Sequence, residues 1–118
     1  MLMTLPELVA SACKNIRRVD ADSAYREGRS SSGIFIDVRE PGEAANQSIP
    51  GSTNIPRGVL EMKVGELASD PGAAIYLHCA TGGRAALAAE QLQRLGYTNV
   101  TAISCPLDII QEVEAKHR

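Results

Sequence analysis

The chain has 118 residues, 44% apolar and 22% charged, which is enough for one domain around a single core and rules out wholesale disorder. A formal net charge of −2 gives no electrostatic pull toward nucleic acid or an acidic membrane, and 3% aromatics without tryptophan leave little for a base-stacking surface. No apolar run reaches the length of a membrane span, and Pro6 and Glu7 interrupt the start of the chain where a secretory leader would be apolar. Three cysteines, Cys13, Cys79 and Cys105, neither pair evenly nor show metal-ligand spacing. A reduced, cytoplasmic setting without metal or cofactor is the expectation.

Leu5 to Ile16 reads as a short amphipathic helix with Thr4 as N-cap and Pro6 in its first turn. Arg17 to Val19 suits a short strand. Asp20 or Asp22 then caps a helix from Ala21 to Glu27 that stops at Gly28, followed by a polar loop, Arg29 to Gly33. Ile34-Phe-Ile-Asp-Val38 is a compact β-rich run with one acid near its end. Pro41 to Asn46 predicts a helix begun by proline, Pro50-Gly51 a turn, and Ser52 to Ile55 a strand. Arg57 to Ala68 reads as helix and stops before the turn Asp70-Pro-Gly72. Ala74 to His78 is a strand, Gly83 to Leu95 a helix ending at Gly96, Val100 to Ser104 a strand, and Pro106 to Lys116 a closing helix. Alternating strands and helices, with several strands wholly apolar, predict an α/β fold over residues 1–118, a mainly parallel five-stranded sheet with helices on both faces. Functional loops of such sheets lie at the carboxyl ends of strands, where Asp37, Arg39, Cys79 and Cys105 fall.

The chemistry concentrates after the Ala74–His78 strand. Cys79 is followed by a tight turn, Ala80-Thr81-Gly82-Gly83, then Arg84 and a helix. Backbone N–H groups of such a turn point inward, and the helix N-terminus behind them adds partial positive charge. That field favours a thiolate, the reactive form of cysteine. The bland alternative is a small buried hydrophobe at a strand end. Asp37 reads as a structural hydrogen-bond acceptor or cap, and Arg39 as its partner or that of Glu40 or Glu43. His78 precedes the thiol, so strand alternation turns it to the opposite side and toward a structural role. Cys13, on a helix face, reads as packing.

Together these segments resemble the rhodanese-like domain, the family of single-domain sulfurtransferases. The resemblance rests on Ile36-Asp-Val-Arg-Glu-Pro-Gly-Glu43, then Ile49-Pro-Gly-Ser-Thr-Asn-Ile-Pro56, then Leu77-His-Cys79 through Arg84, and Gly96-Tyr-Thr-Asn-Val100 before the last strand, about residues 15 to 110. This chain departs from the family pattern in three places. Gln47-Ser48 stands where many members carry Gly-His, Ser104-Cys-Pro-Leu107 replaces a Gly-Gly and later tryptophan, and Ala80 occupies a position often basic in thiosulfate-using members.

The resemblance implies sulfur transfer through a persulfide on Cys79. The donor would be thiosulfate, a polysulfide or a persulfide, and the acceptor a thiol or cyanide, with the protein a monomer or weak homodimer. The N–H groups of Ala80, Thr81, Gly82, Gly83 and Arg84 would hold the terminal sulfur. Arg84 has two readings, attracting an anionic donor or anchoring the loop through carbonyls or an acid. Phosphatases and arsenate reductases with Cys…Arg loops are one alternative, but their loop holds five residues between cysteine and arginine, against four here. A non-catalytic docking module of the same fold is another. Cys105, at the end of the neighbouring strand, reads first as packing before Pro106, and as a candidate resolving thiol for Cys79 if the two side chains converge.

Overall fold

The computed structural model describes residues 1–118. Eleven helices and strands follow in chain order: α1 (Leu5–Cys13), β1 (Arg17–Val19), α2 (Ala21–Ser31), β2 (Ile34–Asp37), α3 (Pro41–Asn46), β3 (Ser52–Asn54), α4 (Leu60–Leu67), β4 (Ile75–His78), α5 (Gly83–Leu95), β5 (Val100–Ile103) and α6 (Leu107–Lys116). The strands form one sheet in the order β1-β5-β4-β2-β3, with every pair parallel. β4 lies at its centre and is buried along its whole length. No helix is long and apolar enough to cross a membrane.

Side-chain alternation divides the core into two layers. Ile36, Ile75, Leu77, Cys79, Val100 and Ala102 face α5 and α4 and pack with Leu60, Val64, Ala85, Ala88, Ala89 and Leu92. Tyr76 and Ile103 face the other way, onto Ala21, Ala24 and Ile110 of α2 and α6. The alanines of α5 let that helix lie close on β4, and this closeness sets where its N-terminus meets Cys79.

Three boundaries differ from the sequence reading by more than one residue. α1 ends at Cys13 rather than Ile16, because Asn15 turns its side-chain amide back to the Ser11 carbonyl (3.4 Å) and the backbone bends toward β1. α2 runs through Gly28 to Ser31 and closes on Ser32 in the left-handed region (φ 54°), so Arg29 to Ser31 are helix and not loop. Gly28 serves close packing instead, since a Cβ there would sit 2.7 Å from Phe35 Cε1. Arg57–Val59 form a 3₁₀ turn ahead of α4.

Candidate active site

β4 delivers Cys79 to the carboxyl edge of the sheet, on the α5 side, with the residue only 1% exposed. The chain then closes a ring over the sulfur. The Gly82 N–H donates to Cys79 Sγ (3.1 Å), and so does the Ala85 N–H from the first turn of α5 (3.4 Å). Both are donors that an α-helix start leaves free. Gly82 makes the turn possible with φ 103°, in the left-handed region, and a Cβ there would lie 3.3 Å from the Ser104 carbonyl oxygen. From the far side, the Leu107 N–H donates to the Ala80 carbonyl (3.0 Å), tying the loop to the start of α6. Gly82→Ala is therefore expected to cost about 1–3 kcal/mol and to lower activity through the displaced Gly82 N–H. Urea unfolding checks this, and a midpoint equal to wild type would contradict the strain.

Arg84 leaves the ring and meets α3. Its Nη1 and Nη2 donate to Glu43 Oε1 (2.6 Å) and Oε2 (3.0 Å), a two-pronged ion pair with both side chains a little over one-third exposed. The Arg84 hydrogen bonds, helped by the Glu40 N–H donated to Oε1 (2.9 Å), hold the Glu43 carboxyl down at about 2. Glu43 thus turns to Arg84, and Arg39 finds its carboxylate elsewhere.

That partner is Asp37. Arg39 Nε lies 3.0 Å from Oδ1 and Nη2 lies 2.7 Å from Oδ2, both residues are 3% exposed, and the Arg39 backbone N–H also donates to Oδ1 (3.0 Å). The remaining guanidinium donors reach the carbonyls of Gln47 (2.6 Å) and Glu43 (3.4 Å) at the end of α3. Asn54 Nδ2 donates to the carbonyls of Asp37 and Arg39, 2.9 Å each, and closes the corner. The buried pair therefore fixes α3, and α3 presents Glu43 to the loop.

His78 lies on the opposite face from Cys79, fully buried, with Nε2 2.6 Å from Ser52 Oγ and Nδ1 unpartnered. Burial, opposed by Asp37 and assisted by Arg39, lowers its pKa to about 4. The unfolded imidazole titrates near 6.5, so the unfolded chain binds the extra proton between these values. The folded state is at full strength above about 6.5 and loses roughly 2–3 kcal/mol as pH falls toward 4. Urea midpoints measured between about pH 7.5 and pH 5 should fall less in His78→Gln than in wild type. Equal falls would contradict the account.

Cys105 does not converge on Cys79. Its Sγ accepts the Ala21 N–H (3.3 Å) at the start of α2, and it packs in the α2–α6 layer. The two cysteines share the carboxyl edge but project from opposite faces, because Ile103 and Cys105 fall in one alternation phase and Leu77 and Cys79 in the other. Cys105 therefore packs, as the first of its two readings expects, and accepts a hydrogen bond at the N-terminus of α2 in place of facing Cys79. Cys13 is half-buried on α1. Sequence reasoning offered an acid as anchor for Arg84 but missed the Ala85 N–H, the identity of that acid as Glu43, and Ser52 and Asn54 behind the strand ends. The strand–loop–helix order could have signalled Ala85, but the other three depend on contacts between distant segments.

The ring is small. A groove of about 310 Å³ lies away from it, between α4 and the end of α5, and is lined by Met62, Val64, Leu95 and Tyr97 among others. That groove contains neither the thiol nor any residue of its loop.

The rhodanese-like domain profile matches residues 20–105, which include β2, the Cys79 ring and β5. The chain belongs to the rhodanese-like domain family. A mitochondrial protein of Schizosaccharomyces pombe, provisionally named a thiosulfate sulfurtransferase, is 30% identical over 85% of this chain and 81% of its own length. The polysulfide-sulfur transferase homodimer of Wolinella succinogenes superposes with a TM-score of 0.74 at 26% identity, covering 89% of this chain and 80% of that one. A Rhodopseudomonas palustris protein of unknown function, suggested to be a tyrosine phosphatase, superposes at 0.76 with 24% identity over 95% and 92% of the two chains. At that identity the last likeness is one of fold. Within this rhodanese-like frame, Cys79 and its four-residue ring occupy the end of the central strand, with Arg84 next in the chain and turned out to Glu43.

Proposed function

We propose that this chain is a sulfurtransferase that carries sulfane sulfur on Cys79 as a persulfide. The observation that carries the reading is the ring itself: a buried thiol at the end of the central strand, held by two backbone N–H groups, with four residues before Arg84. The Cys79 thiolate attacks the outer sulfur of the donor. An S–S bond forms to Cys79, and the donor's bond to that sulfur breaks. The leaving group takes the electron pair, as sulfite from thiosulfate or as a thiolate from a persulfide. An acceptor thiolate or cyanide then attacks the terminal sulfur and returns Cys79 to the thiolate. Covalent transfer splits one displacement into two easier ones. The Gly82 and Ala85 N–H groups donate to Cys79 Sγ, where negative charge sits on sulfur in the free enzyme. No free cysteine opposes Cys79 across the ring, which suits a thiol that must stay unpaired in a reducing, cytoplasmic compartment.

A ring with four intervening residues suits a single sulfur atom better than a tetrahedral oxyanion. Sulfane turnover compared with turnover of an aryl phosphate separates the two chemistries. Sulfur transfer without phosphate release is the expected result. Phosphate release without sulfur transfer would overturn the reading, and neither activity would leave the docking module as the better account.

A further inference from the structure

We propose that Glu43 is a specificity-determining residue that neutralises Arg84 and so restricts the donor to sulfane compounds of low charge, persulfides rather than the thiosulfate dianion. The inference rests on the sulfurtransferase reading and concerns the charge at the mouth of the same ring. Three arginines follow the ends of β2, β3 and β4, and each is already engaged. Arg39 is buried against Asp37, Arg57 holds Glu61 (2.9 Å), and Arg84 holds Glu43 at 2.6 and 3.0 Å. The ring supplies only Ala80, Thr81 and two glycines, none of them cationic.

Glu43 is not a casual partner. Its Oε1 also accepts the Glu40 N–H, and its helix is pinned by Arg39 at the carbonyls of Glu43 and Gln47. The carboxylate therefore stays at Arg84, and a doubly charged donor meets a cation whose charge is already answered. A persulfide, neutral as R–S–SH and singly charged as its anion, needs no such cation. Attack by the Cys79 thiolate on the outer sulfur of R–S–SH forms Cys79–S–SH, in which that sulfur keeps its proton, and releases the thiolate R–S⁻, with the electron pair of the broken S–S bond leaving on that thiolate.

The test is the ratio of donor kcat/KM for thiosulfate to that for 2-hydroxyethyl persulfide, with one thiol acceptor throughout. Glu43→Gln keeps the side-chain length and the acceptor for the Glu40 N–H but removes the charge. It should raise the ratio by about tenfold, as one freed charge contact does. Glu43→Asp, which retains the carboxylate, should keep the ratio near wild type, and Arg84→Ala added to Glu43→Gln should abolish the gain. In the wild type, kcat/KM for thiosulfate should vary little with ionic strength, since no unanswered cation attracts the donor. A ratio unchanged in Glu43→Gln, or a steep fall of wild-type thiosulfate kcat/KM with salt, would overturn the proposal. The salt measurement decides the matter even if the variant does not fold. If no donor loads sulfur onto Cys79, the sulfurtransferase reading itself has failed; a loaded Cys79 with an unchanged ratio removes only the role of Glu43.

Discussion

Cys79→Ser is expected to lower sulfur transfer by at least about 10³-fold while the protein remains folded. Serine is nearly the same size and can accept the Gly82 and Ala85 N–H groups that hold the sulfur at 3.1 and 3.4 Å. Its hydroxyl does not ionise near neutral pH and cannot carry a sulfane atom, so the covalent step is lost and the scaffold is kept. Steady-state transfer from a persulfide donor, with circular dichroism on the same sample, checks both halves. Turnover above a small fraction of wild type would mean that Cys79 is not the nucleophile.

The largest effect on stability is expected from Asp37→Asn. The change leaves the Arg39 guanidinium, 4% exposed, facing a neutral amide in place of its counter-charge. Removing one member of a buried pair typically costs about 3–5 kcal/mol, a large share of the roughly 5–15 kcal/mol that holds a domain together. Replacing both members with apolar residues of similar size should cost less than the single change, because no lone charge is then left inside. Since Arg39 also ties the carbonyls of Glu43 and Gln47, the single variant should loosen α3 and slow sulfur transfer as well. Urea unfolding of the three proteins measures this, and a single-variant cost below about 1 kcal/mol would show that the pair does not hold this corner.

The order of elements was legible because each carries its own punctuation. Pro41 opens α3, Asp70-Pro-Gly72 ends the α4 region, Gly96 closes α5, and β2 and β4 are short apolar runs. Gly28 misled because a glycine that admits a neighbouring ring, here Phe35, looks in sequence like one that ends a helix. The thiol, its turn and the helix behind it are contiguous, so local rules found them. Which acid meets which arginine was not legible. Glu43 lies four residues from Arg39 and 41 from Arg84, yet it turns to the distant one because Asp37 is already bound to Arg39 inside the sheet edge. The same limit undid the pairing of Cys105 with Cys79. Their strands do adjoin, but the phase of alternation over β4 and β5 sends the two thiols to opposite layers.

The most direct measurement is the intact mass of the protein after brief exposure to a persulfide donor and removal of excess reagent, followed by peptide mapping. The wild type should gain the mass of one sulfur atom on the peptide carrying Cys79, lose it on addition of a thiol acceptor, and show no gain in Cys79→Ser. A protein that stays at its unmodified mass, or that carries the added sulfur on Cys13 or Cys105 and passes it on from there, would contradict the account.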